Sequence, residues 1–156
     1  MAVDVITEIE IARPRHDVAA FAMDPSNATR WYRNITRVTW ETEPPLAVGS
    51  RTRFRARFLG RALEYTYEVR ELIPDERLVM GMSEGPFAME TTYRFTDTPG
   101  GTRMELRNRG EPEGFMSMMR PILETAMRRA NRTDLARLKA LLEGTDHVTI
   151  HAPGSP

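Results

Sequence analysis

Cysteine is absent from the 156 residues, and that single absence removes disulfides, thiolate catalysis and zinc sites built on sulfur. Net charge is absent as well: 22 basic and 22 acidic side chains cancel, so no global field draws the chain to nucleic acid or to anionic lipid. No stretch approaches the ~18 apolar residues of a membrane span. The opening MAVDVITEIEIA carries acids and β-branched alternation where a secretory leader carries a basic residue and an unbroken apolar run. The expectation is a soluble cytoplasmic protein with no membrane span and no nucleic-acid partner. Histidine is scarce and scattered: His16 falls in a first helical segment, His147 and His151 in the last residues, so none of them forms a cluster with metal spacing. Ser26, Ser50, Ser83 and Ser117 lack a glycine-flanked elbow or a neighbouring base, and there is no glycine-rich phosphate loop. No metal and no cofactor is expected, and catalytic residues are unassigned. Lys139 is the lone lysine.

What the chain has in quantity is arginine in strands. Over residues 51–70, Arg51, Arg53, Arg55 and Arg57 alternate with Thr52, Phe54, Ala56 and Phe58, the period of a strand with one wet and one buried face. Taking Gly60-Arg61 as a two-residue turn places Arg57 opposite Glu64, Arg53 opposite Glu68, Phe58 opposite Leu63 and Phe54 opposite Tyr67. A second hairpin over residues 89–109, folded around Thr98-Pro99-Gly100-Gly101, pairs Arg94 with Glu105, Glu90 with Arg109, Tyr93 with Leu106 and Phe95 with Met104. Both point to a long, curved antiparallel sheet whose arginines face water in ion pairs.

Around these hairpins the remaining elements read in order. Residues 3–12 alternate as a first strand, and Pro14 opens a short helix to about Met23. Asp24-Pro25 caps a second short helix through about Trp31. A strand covers about residues 35–43, and another covers 76–83, with Gly85-Pro86 turning into the second hairpin. After Gly110 the period changes to about 3.6. Phe115, Met119, Ile122, Ala126, Ala130, Leu138, Leu141 and Leu142 then form one apolar stripe on a long helix ending near Glu143-Gly144. Pro121 either kinks that helix or begins it after a looser turn over 114–120. A chain of this length buries roughly 70% of its unfolded surface in one core.

Several short runs carry a resemblance by their order and spacing. They are Ile11-Ala12-Arg13-Pro14, Asp24-Pro25-Ser26-Asn27 leading to Trp31, Gly49-Ser50, Phe58-Leu59-Gly60-Arg61, Gly85-Pro86-Phe87, Gly100-Gly101-Thr102-Arg103 and Leu135-Ala136-Arg137-Leu138-Lys139. Over residues 3–143 the chain resembles the START-like (SRPBCC) superfamily, and within it the polyketide cyclase/dehydrase-type proteins. The resemblance implies an α+β helix-grip fold: a curved antiparallel sheet of about seven strands wrapped around a long C-terminal helix, with two short helices after the first strand. It implies one domain over residues 1–143 followed by a poorly ordered tail over 144–156. Between sheet and helix it implies a cavity for an apolar small molecule.

By hairpin parity the inward face offers Phe54, Phe58, Tyr65, Tyr67, Met80, Met82, Met89, Thr91, Tyr93, Met104, Leu106 and Asn108. The helix contributes Phe115, Met119 and Leu123. Trp31, with Tyr32 beside it where the second short helix meets the sheet, follows from the resemblance, which places an aromatic there at the cavity rim; packing alone is the competing explanation. These residues, Leu106 and Tyr32 apart, form the candidate ligand-binding set. Methionine-rich walls repack around different shapes, and inward hydroxyls and amides need partners that a ligand supplies. Filling a core is the competing explanation for the methionines. Trp40 is assigned to the core, its parity open. The leading function is binding or transport of an apolar aromatic, polyketide-like or lipid-like molecule. The alternative is a cyclase/dehydratase, a lyase or isomerase, with Tyr65, Tyr67 and Tyr93 as weak catalytic candidates. Aromatase/cyclases of the family steer an aldol closure with inward polar residues, often arginine or tyrosine, whereas here the sheet arginines point outward. An interaction module and a homodimer are left open. Carriage requires a cavity, catalysis a group of shifted pKa inside it, and interaction an exposed apolar patch on the outer sheet.

Overall fold

The computed structural model describes residues 2–58, 60–84, 88–112 and 115–144. Strand β1 (Val3–Ile11) buries Val3, Val5, Thr7 and Ile11 and exposes Asp4, Ile6 and Glu8, as its alternation requires. Pro14 precedes helix α1 (Arg15–Ala22). The Asp24 carboxylate then accepts the Ser26 N–H at 2.9 Å, starting a 3-10 turn (Pro25–Asn27) that runs into α2 (Ala28–Trp31). Asp24 thus satisfies a backbone donor that the turn leaves open, the role its position before proline indicates.

Six further strands follow: β2 (Ile35–Trp40), β3 (Arg51–Phe58), β4 (Arg61–Ile73), β5 (Arg77–Glu84), β6 (Ala88–Thr98) and β7 (Gly101–Glu111). All pair antiparallel in the spatial order β1-β7-β6-β5-β4-β3-β2. The β6–β7 register agrees with the expected one, Arg94 facing Glu105 and Tyr93 facing Leu106. The β3–β4 register is corrected by two residues. Phe58 pairs with Arg61, Arg55 with Glu64, Phe54 with Tyr65 and Arg51 with Glu68. Gly60, at φ +78, takes the second central position of the turn rather than the first. Because side chains repeat every second residue, a slip of two changes every partner and leaves both faces intact. The outer face is laced by Arg55–Glu64 (3.5 Å), Arg51–Glu84 (3.1 Å), Arg70–Glu90 (3.4 Å) and Arg107–Asp4 (2.7 Å). Trp40 is half-buried and donates its Nε1 proton to Ser26 Oγ at 3.0 Å.

The C-terminal helical region divides in two, α3 (Phe115–Met118) and α4 (Arg120–Gly144). Pro121 therefore sits at the start of α4, where its missing N–H costs nothing. The face turned inward on α4 is Leu123, Asn131, Asp134, Leu135, Leu138 and Leu142, while Ile122 of the expected stripe is 53% exposed. Leu141 is only half-buried. Residues 145–156, assigned to the tail, and the Gly85-Pro86 turn lie outside the described residues.

Helix α4 packs along β1 and α2. Its C-terminal end is tied down: Lys139 Nζ donates to Glu10 O (2.8 Å) and to Glu143 (2.7 Å), and Glu143 accepts the Ala12 N–H (2.6 Å). Around Leu135, Leu138 and Leu142 lies the main core, with Val18, Trp31, Leu78, Phe95, Met104 and Leu106. A second cluster, Ala28, Ile35, Phe54 and Ala56, sits under β2 and β3. The N-terminal half of α4 presents Ala130 and Asn131 where the other half presents leucines. The space left there is the cavity.

Candidate ligand cavity and its polar end

The cavity has a volume of about 190 Å³. A dry apolar cavity of about 150 Å³ holds benzene, so this space suits a body of one or two rings. Phe54, Phe58, Met80, Met82, Met89 and Leu123 supply apolar wall. All four tyrosines of the chain, Tyr32, Tyr65, Tyr67 and Tyr93, line it as well. An outer groove lined by Arg33, Arg129, Pro121 and Ile122 shares Asn34, Phe58, Ala130 and Asp134 with the cavity.

Two hydrogen-bonded groups organise the hydroxyls. Thr91 Oγ1 donates to Asn108 Oδ1 at 2.7 Å, so its one proton is committed, and Tyr67 OH must donate to Thr91 at 2.8 Å. The Tyr32 and Tyr93 hydroxyls bond to each other. Burial pushes all four phenols upward, Tyr67 to about 12 despite its bond to Thr91, and Tyr93, Tyr32 and Tyr65 above their ordinary value. At neutral pH they are hydrogen-bond donors and poor bases.

The carboxylate is different. Asp134 is 3% exposed, and its Oδ1 accepts the Arg33 N–H at 3.0 Å. Burial raises it to about 6, against the downward pull of that N–H and of the Arg137 and Arg33 charges. One helical turn earlier, Asn131 is 6% exposed, lines the same cavity, and has an Nδ2 with no hydrogen-bond partner among the described residues. A buried donor left unpaired costs about 1 to 3 kcal/mol. Asn131, Asp134 and the Tyr32–Tyr93 pair thus form one polar end of the cavity, besides the Tyr67–Thr91–Asn108 group.

A family model described as polyketide cyclase/dehydrase and lipid transport matches residues 2–143. The chain belongs to that family. No curated protein matches the chain in sequence. Among solved structures, the protein TTHA0849 from Thermus thermophilus is 21% identical, with a TM-score of 0.79 over 91% of this chain and 99% of its own. Zhui aromatase/cyclase from Streptomyces sp. R1128 is 17% identical, with a TM-score of 0.77 over 100% of both chains. The di-domain ARO/CYC StfQ of the steffimycin biosynthetic pathway is 15% identical, with a TM-score of 0.78 over 94% of this chain and 52% of that one. At such identities these likenesses establish the fold, the curved sheet and long helix common to this polyketide cyclase/dehydrase family member and its neighbours.

Of the expected site residues, the structure brings Phe54, Phe58, Tyr65, Tyr67, Met80, Met82, Met89, Thr91, Tyr93, Asn108 and Leu123 together on the cavity wall. Trp31 and Met104 lie elsewhere. Both are fully buried in the main core, with the Trp31 ring 4.0 Å from that of Tyr32 and 5.8 Å from that of Tyr93. Trp31 is thus core rather than rim, and its neighbour Tyr32 lines the cavity. Met119 falls in the break between α3 and α4 and is not part of the lining. The side chain of Phe115 lies outside the described residues. Sequence reasoning named Tyr32 beside Trp31 without placing it in the candidate set, and missed Asn131 and Asp134. The available signal was a polar pair at i and i+3 breaking an otherwise apolar face between Met127 and Leu135.

Proposed function

We propose that this polyketide cyclase/dehydrase family member binds a small, mainly apolar molecule of one or two rings between α4 and the sheet. The observation that carries the proposal is the cavity of about 190 Å³ walled by adaptable methionines and by every tyrosine of the chain. A ligand at about 100 times its dissociation constant adds about 2.7 kcal/mol of stability, a rise of at least about 5 °C in the melting midpoint for a chain of this size. Naphthalene-sized aromatics should produce that rise. Met89→Trp, which places a larger ring on the wall, should abolish it and leave the fold intact. An unmoved midpoint across a panel of aromatics, fatty acids and flavonoids refutes the proposal.

A second function is favoured by one specific observation, the carboxyl of Asp134 at about 6 on the cavity wall. A group with a pKa near the working pH is fitted to both giving and taking a proton. In a cyclisation or dehydration, the Asp134 carboxylate takes the proton from a carbon next to a carbonyl, and a neutral phenol of Tyr32 or Tyr93 donates a hydrogen bond to the enolate oxygen. The enolate carbon then bonds to a second carbonyl carbon, which closes the ring, and the resulting alkoxide takes up the proton from Asp134. The Asp134 carboxylate next removes the second proton of the same α-carbon and passes it to the hydroxyl, which leaves as water as the C=C bond forms. Asp134→Asn should lower such turnover by at least about 10², while Asp134→Asn binding the substrate and turning it over at the wild-type rate excludes the mechanism.

A further inference from the structure

The cavity walls account for the body of a ligand, and its polar end has a chemistry of its own. We infer that Asn131 and Asp134 form a head-group subsite that selects a neutral hydroxyl on an apolar ring and rejects a carboxylate. This rests on the binding proposal and goes beyond it, since methionine walls alone sort ligands by shape.

Three observations meet here. Asn131 and Asp134 stand three residues apart on one face of α4, where Cβ atoms lie about 5–6 Å apart, a gap that one oxygen atom can bridge. Both line the cavity, and both are more than nine-tenths buried. Each keeps unused capacity. Asn131 Nδ2 is a donor with no partner among the described residues, and the backbone N–H of Arg33 occupies only Oδ1 of Asp134. A ligand hydroxyl satisfies both groups at once, accepting from Asn131 and donating to Asp134 Oδ2. A carboxylate has no proton to donate and sets a second negative charge beside the first. The charged and titratable groups facing Asp134 are Arg33 from the segment after α2, Arg137 from α4 itself, and the neutral phenols of Tyr32, Tyr65 and Tyr93. Burial holds Asp134 at about 6, so it is ionised at neutral pH and becomes a neutral donor below that value.

Calorimetric titration of naphthalene, 2-naphthol and 2-naphthoate into the full chain tests the subsite. At about pH 7.5, where a phenol is neutral and an aryl carboxylate ionised, 2-naphthol should bind about tenfold or more tighter than naphthalene. Under the same conditions 2-naphthoate should bind more weakly than naphthalene. At about pH 5 the naphthoate affinity should recover by about tenfold, as Asp134 gains its proton. Asp134→Asn should remove that pH dependence, and Asn131→Leu should bring naphthol to the level of naphthalene. Should either variant fail to fold, the pH comparison on the unaltered chain decides alone. Equal binding of all three probes overturns the subsite and leaves the cavity proposal standing. Binding by none overturns both. Naphthoate binding tightest at pH 7.5 also overturns it, and moves anion recognition to Arg33 and Arg129 of the outer groove.

Discussion

Replacing Asp134 by Asn should stabilise the protein at neutral pH, and the gain should disappear in acid. The folded carboxyl is held at about 6, against a reference value of 3.8, chiefly because it is buried. Between pH ~4 and ~6 the folded chain keeps a proton that the unfolded chain has released. Stability therefore falls as pH rises through this window and stays reduced above it. A shift of a little over two units, at 1.36 kcal/mol each, amounts to about 3 kcal/mol. Asparagine keeps a carbonyl oxygen for the Arg33 N–H, bonded at 3.0 Å, and never ionises. The variant should match the wild type near pH 4 and exceed it by up to about 3 kcal/mol at pH 7 to 8, some 6 to 12 °C in melting midpoint. Urea unfolding of both proteins at a series of pH values from 4 to 8 gives the difference curve directly. A curve flat in pH, or a variant less stable throughout, refutes the premise that Asp134 is ionised at a cost in the fold.

Gly60→Ala should cost about 1 to 2 kcal/mol in denaturant unfolding, because Gly60 sits at φ +78 with nothing near its missing side chain. Gly101→Ala should cost more than twice as much, since a Cβ there would lie 2.2 Å from Ile11 O and 2.9 Å from Arg13 N. Leu138→Ala should lose about 2 to 5 kcal/mol, whereas Ile122→Ala, at a side chain 53% exposed, should stay within about 0.5. The Asp4 carboxyl is held below its ordinary value by its hydrogen bond with Arg107. Its small contribution should thus be present above the carboxylate range and lost as pH falls through it, and Asp4→Asn should cost no more than about 1 kcal/mol, vanishing in ~1 M salt.

Strand faces were legible because alternation is a local property of the chain. Arg53, Phe54 and Arg55 declare which side is wet without any knowledge of their partners. Partner identity was legible only where the turn was unambiguous. Pro99-Gly100 leaves one way to close β6 on β7, whereas Gly60 fits either central position of a turn, and the two choices differ by two residues and by no change of face. On α4 the apolar spacing placed Leu138 and Leu142 inward correctly but not Ile122, since burial along the helix depends on what the rest of the fold sets against each turn. Asp134 was hidden for another reason. A carboxylate on a helix reads as solvent-facing by default, and its burial depends on what the sheet and α2 place around it. Tyr65, Tyr67 and Tyr93 could be placed from parity alone, but the relay in which Tyr67 donates to Thr91 and Thr91 to Asn108 draws on three strands.

The order of the sheet also sets an order of assembly. Strands β2 to β7 are a meander in which each pairs with the next, so their contacts form between near neighbours in the chain. Strand β1 is the exception. Made first, it pairs only with β7, Ile11 meeting Thr102 and Val3 meeting Gly110, and such a distant closure is the slow kind. During synthesis, at about 5 to 20 residues per second, β1 waits several seconds for its partner. Asp4, Glu8 and Glu10 keep that waiting strand from pairing with other edges. Pulse-labelled hydrogen exchange should accordingly protect β3 to β6 before β1, and simultaneous protection of all seven strands would contradict it. Since α4 packs along β1, the cavity is complete only after this last closure. On the binding proposal, a ligand then enters a finished container and takes no part in building it.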